Sequence, residues 1–243
     1  MIHKAFRILE TISSKKANTI DGISLETKIP RSTVHRILRI LADEDIVMNK
    51  RKSGYFLTPR LISLGLSGIA EREILDVAIP VMRVLAEKTR ETISLNVICG
   101  HERVCIYRVE GDQPIARNIS IGSRGPLFKG SAGKVIAAGL SSTEIEEFLK
   151  AYLVNGELQE EEVPRVMQQI QTVKEEGYAV SIGERIKNCA SIAVPIKDIT
   201  GSVIASLSVS VVGLRLNEEN KEKFLNLLLE ASRQISSAQG TLL

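Results

Sequence analysis

The residues best suited to chemistry lie in the second half of the chain. Gly130-Ser131-Ala132-Gly133-Lys134 has the look of a phosphate-cradling turn. A phosphate loop would also need glycine at 128 and a hydroxyl at 135, where Phe128 and Val135 stand. The chain has no GxSxG elbow, and no GxGxxG fingerprint follows a strand. His3, His35 and His101 are too scattered to supply the base of a triad or an HExxH site. Cys99, Cys105 and Cys189 are odd in number and lack CxxC spacing, which argues against a disulfide framework and a thiolate metal site. The expectation is therefore a chain that is not an enzyme and carries neither metal nor cofactor. Binding chemistry remains. A helix starting at Ser131 would aim free N–H groups and its dipole at a carboxylate or phosphate, without needing a dedicated arginine. Ser206, Ser208 and Ser210 alternate with Leu207, Val209 and Val211, so their hydroxyls share one strand face. Ser181 and Ser191 add hydroxyls on nearby candidate strands. Alternation alone leaves open whether that face lines a pocket or meets solvent.

A second kind of chemistry sits in the first quarter. Residues 1–62 carry twelve basic and six acidic side chains, a net of +6, so the remainder must be −3 within a total of +3. A basic segment on a mildly acidic body suggests a polyanion partner. Val34, Ile37, Leu38 and Leu41 repeat at helical spacing from Arg31 onward. At 100° per residue, Ser32, Arg36 and Arg39 fall opposite that stripe, flanked by Thr33 and His35. Arginine can grip guanine bidentately, and hydroxyls can reach bases or phosphates.

Other elements must position these groups. Ala5, Ile8, Leu9 and Ile12 mark a first helix; Ile20, Ile23 and Leu25 mark a short second one, ended before Pro30. Two short helices and a tight turn read as helix-turn-helix, with Arg31 opening the reading helix. Lys50-Arg51-Lys52-Ser53-Gly54 then joins two β-rich runs, a basic hairpin placed to touch phosphate as a wing. From residue 59 to 91 the pattern is helical. Ile74, Ala78, Val81, Met82 and Leu85 line a helix containing Pro80, read as a connector whose apolar face meets a second subunit, with ordinary packing onto the body as the alternative.

After Thr92 the period becomes strand-like. Candidate strands are Ser94–Ile98, Val104–Val109, Ile115–Ser120, Tyr178–Ile182, Ala190–Ile196 and Ser202–Val212, with Cys99–Arg103 a hairpin turn. Candidate helices are Ser131–Ala138, Glu144–Tyr152, Pro164–Glu176 and Glu218–Ala238, the second opened by a Ser141/Glu144 capping box. Strands, then helices, then strands predict an α+β body with a mostly antiparallel sheet. The divisions expected are 1–63 for DNA binding, 64–91 for a linker helix and dimerisation, and 92–243 for effector binding. With 44% hydrophobic and 25% charged residues, the composition is globular and excludes a collagenous or disordered chain. No apolar run reaches the ~20 residues a bilayer needs, and the N-terminus lacks a signal-peptide core, so a cytoplasmic location is expected.

Taken together, these segments resemble the IclR family of bacterial transcriptional regulators, over essentially the whole chain. The most specific stretches are Pro30-Arg31-Ser32-Thr33-Val34-His35-Arg36-Ile37-Leu38, Pro126-Leu127-Phe128 with Gly133-Lys134, and Gly177-Tyr178-Ala179-Val180 with Glu184. Ile192-Ala193-Val194-Pro195-Ile196 and Ser206-Leu207-Ser208-Val209-Ser210 complete the set. The resemblance implies a winged helix-turn-helix, a dimerising linker helix and a profilin- or GAF-like effector domain. Homodimers, often paired into tetramers, and repression of catabolic operons are implied as well. It places the effector pocket at Ser131, Ala132, Ser181, Cys189, Ser191, Ser208 and Ser210. Ser181 and Ser191 depart from the Asp and Cys of some keto-acid-binding members, and Asn188 stands where glycine is common. More hydroxyls suit a hydroxylated ligand such as a sugar acid. The sequence thus points to an effector-responsive regulator, more readily a repressor, binding operator DNA and a small organic or sugar acid. A non-DNA signalling or scaffold protein is the alternative.

Overall fold

The computed structural model describes residues 1–50, 53–61, 64, 72–116 and 119–239. It divides into two compact units, Met1–Arg72 and Glu73–Leu243.

In the first unit, helices α1 (Ile2–Ser13), α2 (Ile20–Thr27) and α3 (Arg31–Asp43) precede a two-stranded antiparallel hairpin, β1 (Val47–Lys50) and β2 (Gly54–Leu57). Thr19 caps α2 by accepting from the Gly22 N–H, and Lys28 ends it in the left-handed conformation. Pro30, fixed in φ and unable to donate, starts α3. Ile8, Ile12, Ile23, Val34, Ile37, Leu38 and Val47 form the core. Leu25 is not part of it: the residue is 84% exposed, because the short α2 buries only the side that carries Ile23 and Thr27. Ile29, in the turn between α2 and α3, is buried in its place and its carbonyl accepts from Ser24 Oγ. The hairpin is fastened to the loop between α1 and α2. Tyr55 N–H donates to the Asn18 carbonyl at 2.7 Å and Asn18 Nδ2 donates to the Ser53 carbonyl at 2.7 Å. Gly54 is needed at that junction, since its φ is +88° and a Cβ would lie 2.5 Å from the Asn18 oxygen.

The second unit opens with α4 (Arg72–Thr89), which contains Pro80. A six-stranded antiparallel sheet comes next, in the order β5-β4-β3-β8-β7-β6. Its strands are β3 (Thr92–Cys99), β4 (Glu102–Val109), β5 (Arg124–Pro126), β6 (Ala179–Ile182), β7 (Cys189–Lys197) and β8 (Val203–Val212). Between β5 and β6 lie α5 (Ser131–Ala138), α6 (Ser142–Val154) and α7 (Val163–Glu176), and α8 (Glu218–Gln239) closes the unit. The Ser141/Glu144 capping box forms as expected at the start of α6.

One sheet face is apolar. Ile93, Leu95, Ile192, Val194, Leu207, Val209 and Val211 form one buried cluster with residues of α4 and of α8, whose Phe224, Leu228, Ala231 and Ile235 recur at helical spacing. This corrects one expectation. Ile74, Ala78, Val81, Met82 and Leu85, read as the face toward a second subunit, are buried in the unit's own core. An apolar stripe on a connector helix does not specify which apolar surface covers it. Most of the stretch from 62 to 71, the start of the expected linker, lies outside the described residues.

Two strand boundaries differ as well. Ile115–Ser120 is not a regular strand in its described part, and Ile115 is exposed. Segment 122–126 takes that edge of β4 instead: Cys105 N–H donates to the Ser123 carbonyl, Gly122 N–H donates to the Cys105 carbonyl, and Gly125 pairs with Arg103. The expected turn Cys99–Arg103 shortens to Gly100 and His101, so Glu102 and Arg103 belong to β4.

Candidate functional site

The reading helix of the first unit presents the face that its periodicity predicts. Val34, Ile37 and Leu38 are buried, while Arg31, Ser32, His35, Arg36 and Arg39 are exposed and Thr33 is half-buried. Arg31 is partly engaged, with its guanidinium 3.0 Å from Asp21. Arg36 and Arg39 sit on the outer side of a helix anchored by its inner side, free to enter a groove. Lys50, at the end of β1, lies 5.2 Å from the centre of the Phe56 ring, which holds its stem along the hairpin. Arg51 and Lys52, the rest of the expected wing tip, lie outside the described residues.

The second site is built on the other face of the large sheet. Antiparallel register lines up Ser181, Ser191, Ser210 and Thr92 in one row across β6, β7, β8 and β3. The next row sets Ala193, Ser208 and Ser94 side by side, and the next Pro195, Ser206 and Asn96. The serines and the alanine of β7 and β8 in these rows are small enough to let α5 pack close. Seven of its eight residues are buried. Gly133 is needed there, since a Cβ would meet the Pro126 oxygen at 2.6 Å. Gly130 turns the chain into the helix at a φ of +85°. The glycines that resemble a phosphate loop therefore serve a tight turn and a close helix contact.

Between this sheet face and the start of α5 lies a cavity of about 250 Å³. All seven residues expected at the pocket line it: Ser131, Ala132, Ser181, Cys189, Ser191, Ser208 and Ser210. The serine face does not meet solvent on the sheet, because Ser181, Ser206, Ser208 and Ser210 are buried. Ser131 Oγ donates to Ser191 Oγ at 2.7 Å, tying the helix start to β7. Ser94 and Ser208 share a hydroxyl hydrogen bond of 2.9 Å. Asn188 takes the left-handed conformation just before β7, which explains how asparagine stands where glycine would also serve.

Several lining residues were not legible from the sequence. Asn96 Nδ2 lies 3.3 Å from Ser94 Oγ, and Arg103 Nη1 donates to Asn96 Oδ1 at 3.0 Å, extending the hydroxyl chain to a guanidinium. Arg103 was hidden because it fell in the supposed turn; once β4 begins at Glu102, Arg103 and Cys105 alternate inward together. Arg185, an exposed residue of the 183–188 turn, also lines the cavity, so a guanidinium stands beside the backbone donors of the helix start. Its Nη2 donates to the Arg124 carbonyl at 3.2 Å, and partial desolvation of this otherwise exposed side chain lowers its pKa from the ordinary guanidinium value. Glu184 accepts from the Gly130 N–H at 2.8 Å and pairs with the buried Lys134. The first N–H of the helix start is thus held by the chain's own carboxylate, while those of Ser131, Ala132 and Gly133 have no acceptor within the helix. The only sequence signal for that pair was the resemblance that singled out Glu184 and Lys134. Cys105 is inert, because burial pushes its thiol up to about 11. Among the described residues, no group of three or more His, Cys, Asp or Glu could hold a metal ion.

An exposed arginine-bearing helix over a winged helix-turn-helix core, and a separate α+β unit enclosing a polar cavity, define the class of DNA-binding transcriptional regulators. The particular family emerges from comparison. The family model described as the IclR helix-turn-helix domain matches residues 2–49, and that described as bacterial transcriptional regulator IclR C-terminal matches residues 67–237. The chain belongs to the IclR family of transcriptional regulators. It is 30% identical to the HTH-type transcriptional regulator KdgR of Dickeya chrysanthemi, over 98% of this chain and 79% of that protein. It is 29% identical to the HTH-type transcriptional repressor AllR of Escherichia coli K12, covering 98% and 90%. Among solved structures, the IclR of Thermotoga maritima superposes with a TM-score of 0.74 at 26% identity, covering 98% of both chains. An IclR homologue of Microbacterium hydrocarbonoxydans complexed with 4-hydroxybenzoate shares the fold, with a TM-score of 0.82, 24% identity and 99% coverage of both. The family and these relatives are regulators rather than enzymes, and so is this chain.

Proposed function

We propose that this regulator represses a catabolic operon and releases its operator when a small organic or sugar acid enters the cavity of the second unit. The observation that carries the reading is the convergence of Ser131, Ala132, Ser181, Cys189, Ser191, Ser208 and Ser210 on one cavity beside a helix start. Hydroxyls there can bond the ligand's oxygens, and backbone N–H groups favour an acid. The repressor named among the relatives supports the sign of regulation, and the 4-hydroxybenzoate-bound homologue supports an acid as the ligand class. DNA contacts are assigned to Arg31, Ser32, Thr33, His35, Arg36, Arg39 and Lys50, with Arg51 and Lys52 completing the wing. Reading of paired half-sites requires at least a homodimer, and two such dimers can pair into a tetramer. Among the described residues no helix is long and apolar enough to cross a membrane, and a DNA-reading protein works in the compartment of the chromosome, the bacterial cytoplasm. A gel shift on the DNA upstream of the chain's own gene tests the reading. A specific shift relieved by an organic or sugar acid supports it; a shift that no acid relieves, or none at all, contradicts it.

A further inference from the structure

Arg103 is only 5% exposed, yet among the described residues no carboxylate lies within ion-pair distance of it. Its side-chain hydrogen bond among those residues goes to the neutral oxygen of Asn96. A guanidinium in that position has lost most of its hydration without gaining a counter-charge, which is costly unless something else supplies one. Arg185 converges on the same point. A Cβ on Gly125 would lie 3.1 Å from Arg103 Nη2 and 2.9 Å from Arg185 Nη2. The two nitrogens are therefore no further apart than about 6 Å, a span that one oxyanion can bridge. Gly125 has no side chain to fill the gap, and both arginines line the cavity. The nearby acid, Glu184, is already engaged by Lys134 and the Gly130 N–H, so it neutralises neither.

We propose that Arg103 and Arg185 form an anion clamp over Gly125 that takes the acidic group of the ligand, leaving the serine-lined floor to its hydroxyls. The inference rests on the reading of this cavity as the effector site and deepens it. The acid is recognised by paired guanidiniums, and the ligand class narrows to oxyanions, carboxylate or phosphate ester, with a neutral polar body. A neutral sugar or alcohol would leave two cations facing each other and would be rejected on charge. The clamp also implies a trade. Without ligand, Arg103 destabilises the fold it belongs to, so removing its charge should strengthen the empty protein while abolishing anion binding.

The experiment is thermal unfolding of the purified full chain in sulfate, phosphate or acetate at tens of millimolar, against chloride at matched ionic strength. Wild type should gain about 2 °C or more in one of the oxyanions. A larger gain with phosphate and sulfate assigns a phosphate ester; a larger gain with acetate assigns a carboxylate. Arg103→Met and Arg185→Met should lose the gain, and Arg103→Met should melt higher than wild type in chloride. Gly125→Ala, which pushes a methyl between the guanidiniums, should lose it without changing charge, and covers the case in which Arg103→Met fails to fold. Lys150→Ala, an exposed cation on α6, should keep it. No gain in wild type, or equal gains in wild type and both arginine variants, would overturn the clamp. The regulatory reading fails separately, in the gel shift of the wild-type protein, which this measurement does not touch.

Discussion

The pair formed by Lys134 and Glu184 should respond asymmetrically to substitution, and the asymmetry can be worked from burial. The Lys134 side chain is 5% exposed and that of Glu184 is 26% exposed. Glu184→Gln removes the only charge partner that Lys134 has among the described residues, and it weakens the bond that the Gly130 N–H donates. Stranding a buried ammonium costs about 3–5 kcal/mol where the pair is fully enclosed; the partial exposure of Glu184 brings the expected loss to about 2–3 kcal/mol. Lys134→Met leaves a carboxylate that water can reach and that keeps its backbone donor, so about 1 kcal/mol is expected. The double variant Lys134→Met/Glu184→Gln should lie close to Lys134→Met alone, because no charge is left stranded. Chemical denaturation of the ligand-free chain, monitored by a probe in the second unit, reads all three. Equal losses for the two single variants, or a double variant whose loss is their sum, would refute the claim that Lys134 is held in place by Glu184 and not merely near it.

Further outcomes are expected. Arg36→Ala should lower affinity for the specific operator by about 1–3 kcal/mol in a titrated gel shift, with little change on random DNA if the side chain reads a base. Neutralising Lys50, Arg51 and Lys52 together should weaken binding to all DNA and flatten its salt dependence. Ser208→Ala removes the hydroxyl bonded to Ser94 and should weaken effector binding in calorimetry roughly ten- to hundredfold, leaving operator affinity without effector unchanged. Met82→Ala should cost about 2–5 kcal/mol of stability in the second unit by opening a core cavity; altered sedimentation at unchanged stability would show that the helix face meets a second subunit after all. Ser141→Ala should cost about 1 kcal/mol by removing the α6 cap. The Ser141 contacts hold Glu144 below the usual carboxylate range. The part carried by the Ser141 Oγ–Glu144 carboxylate bond is therefore full above the ordinary glutamate pKa and fades as pH falls through the lowered one, so the gap between wild type and Ser141→Ala should narrow at low pH to the pH-independent cap that Ser141 Oγ gives the Glu144 N–H.

Local periodicity was enough to place the groups whose orientation depends on one element alone. The stripe Val34–Ile37–Leu38 put Arg36 and Arg39 on the outside of a helix, because 3.6-residue geometry allows nothing else once the stripe is buried. The period of two in Ser206–Ser210 put three hydroxyls on one face in the same way. Local signals also located the starts of α5 and α6, where Gly130 and the Ser141/Glu144 box act within one turn. Tertiary structure decided everything that depends on which surfaces meet. A serine face reads the same whether it is covered or wet, and only the packing of α5 across β7 and β8 made it the wall of a cavity. The apolar stripe of α4 could have met a partner; the sheet's other face took it. Arg103 and Arg185 lie 82 residues apart in the chain. Nothing local brings them together: β4 sets Arg103 beside Gly125 of β5, Arg185 bonds the Arg124 carbonyl on the same strand, and both guanidiniums lie against the residue without a side chain.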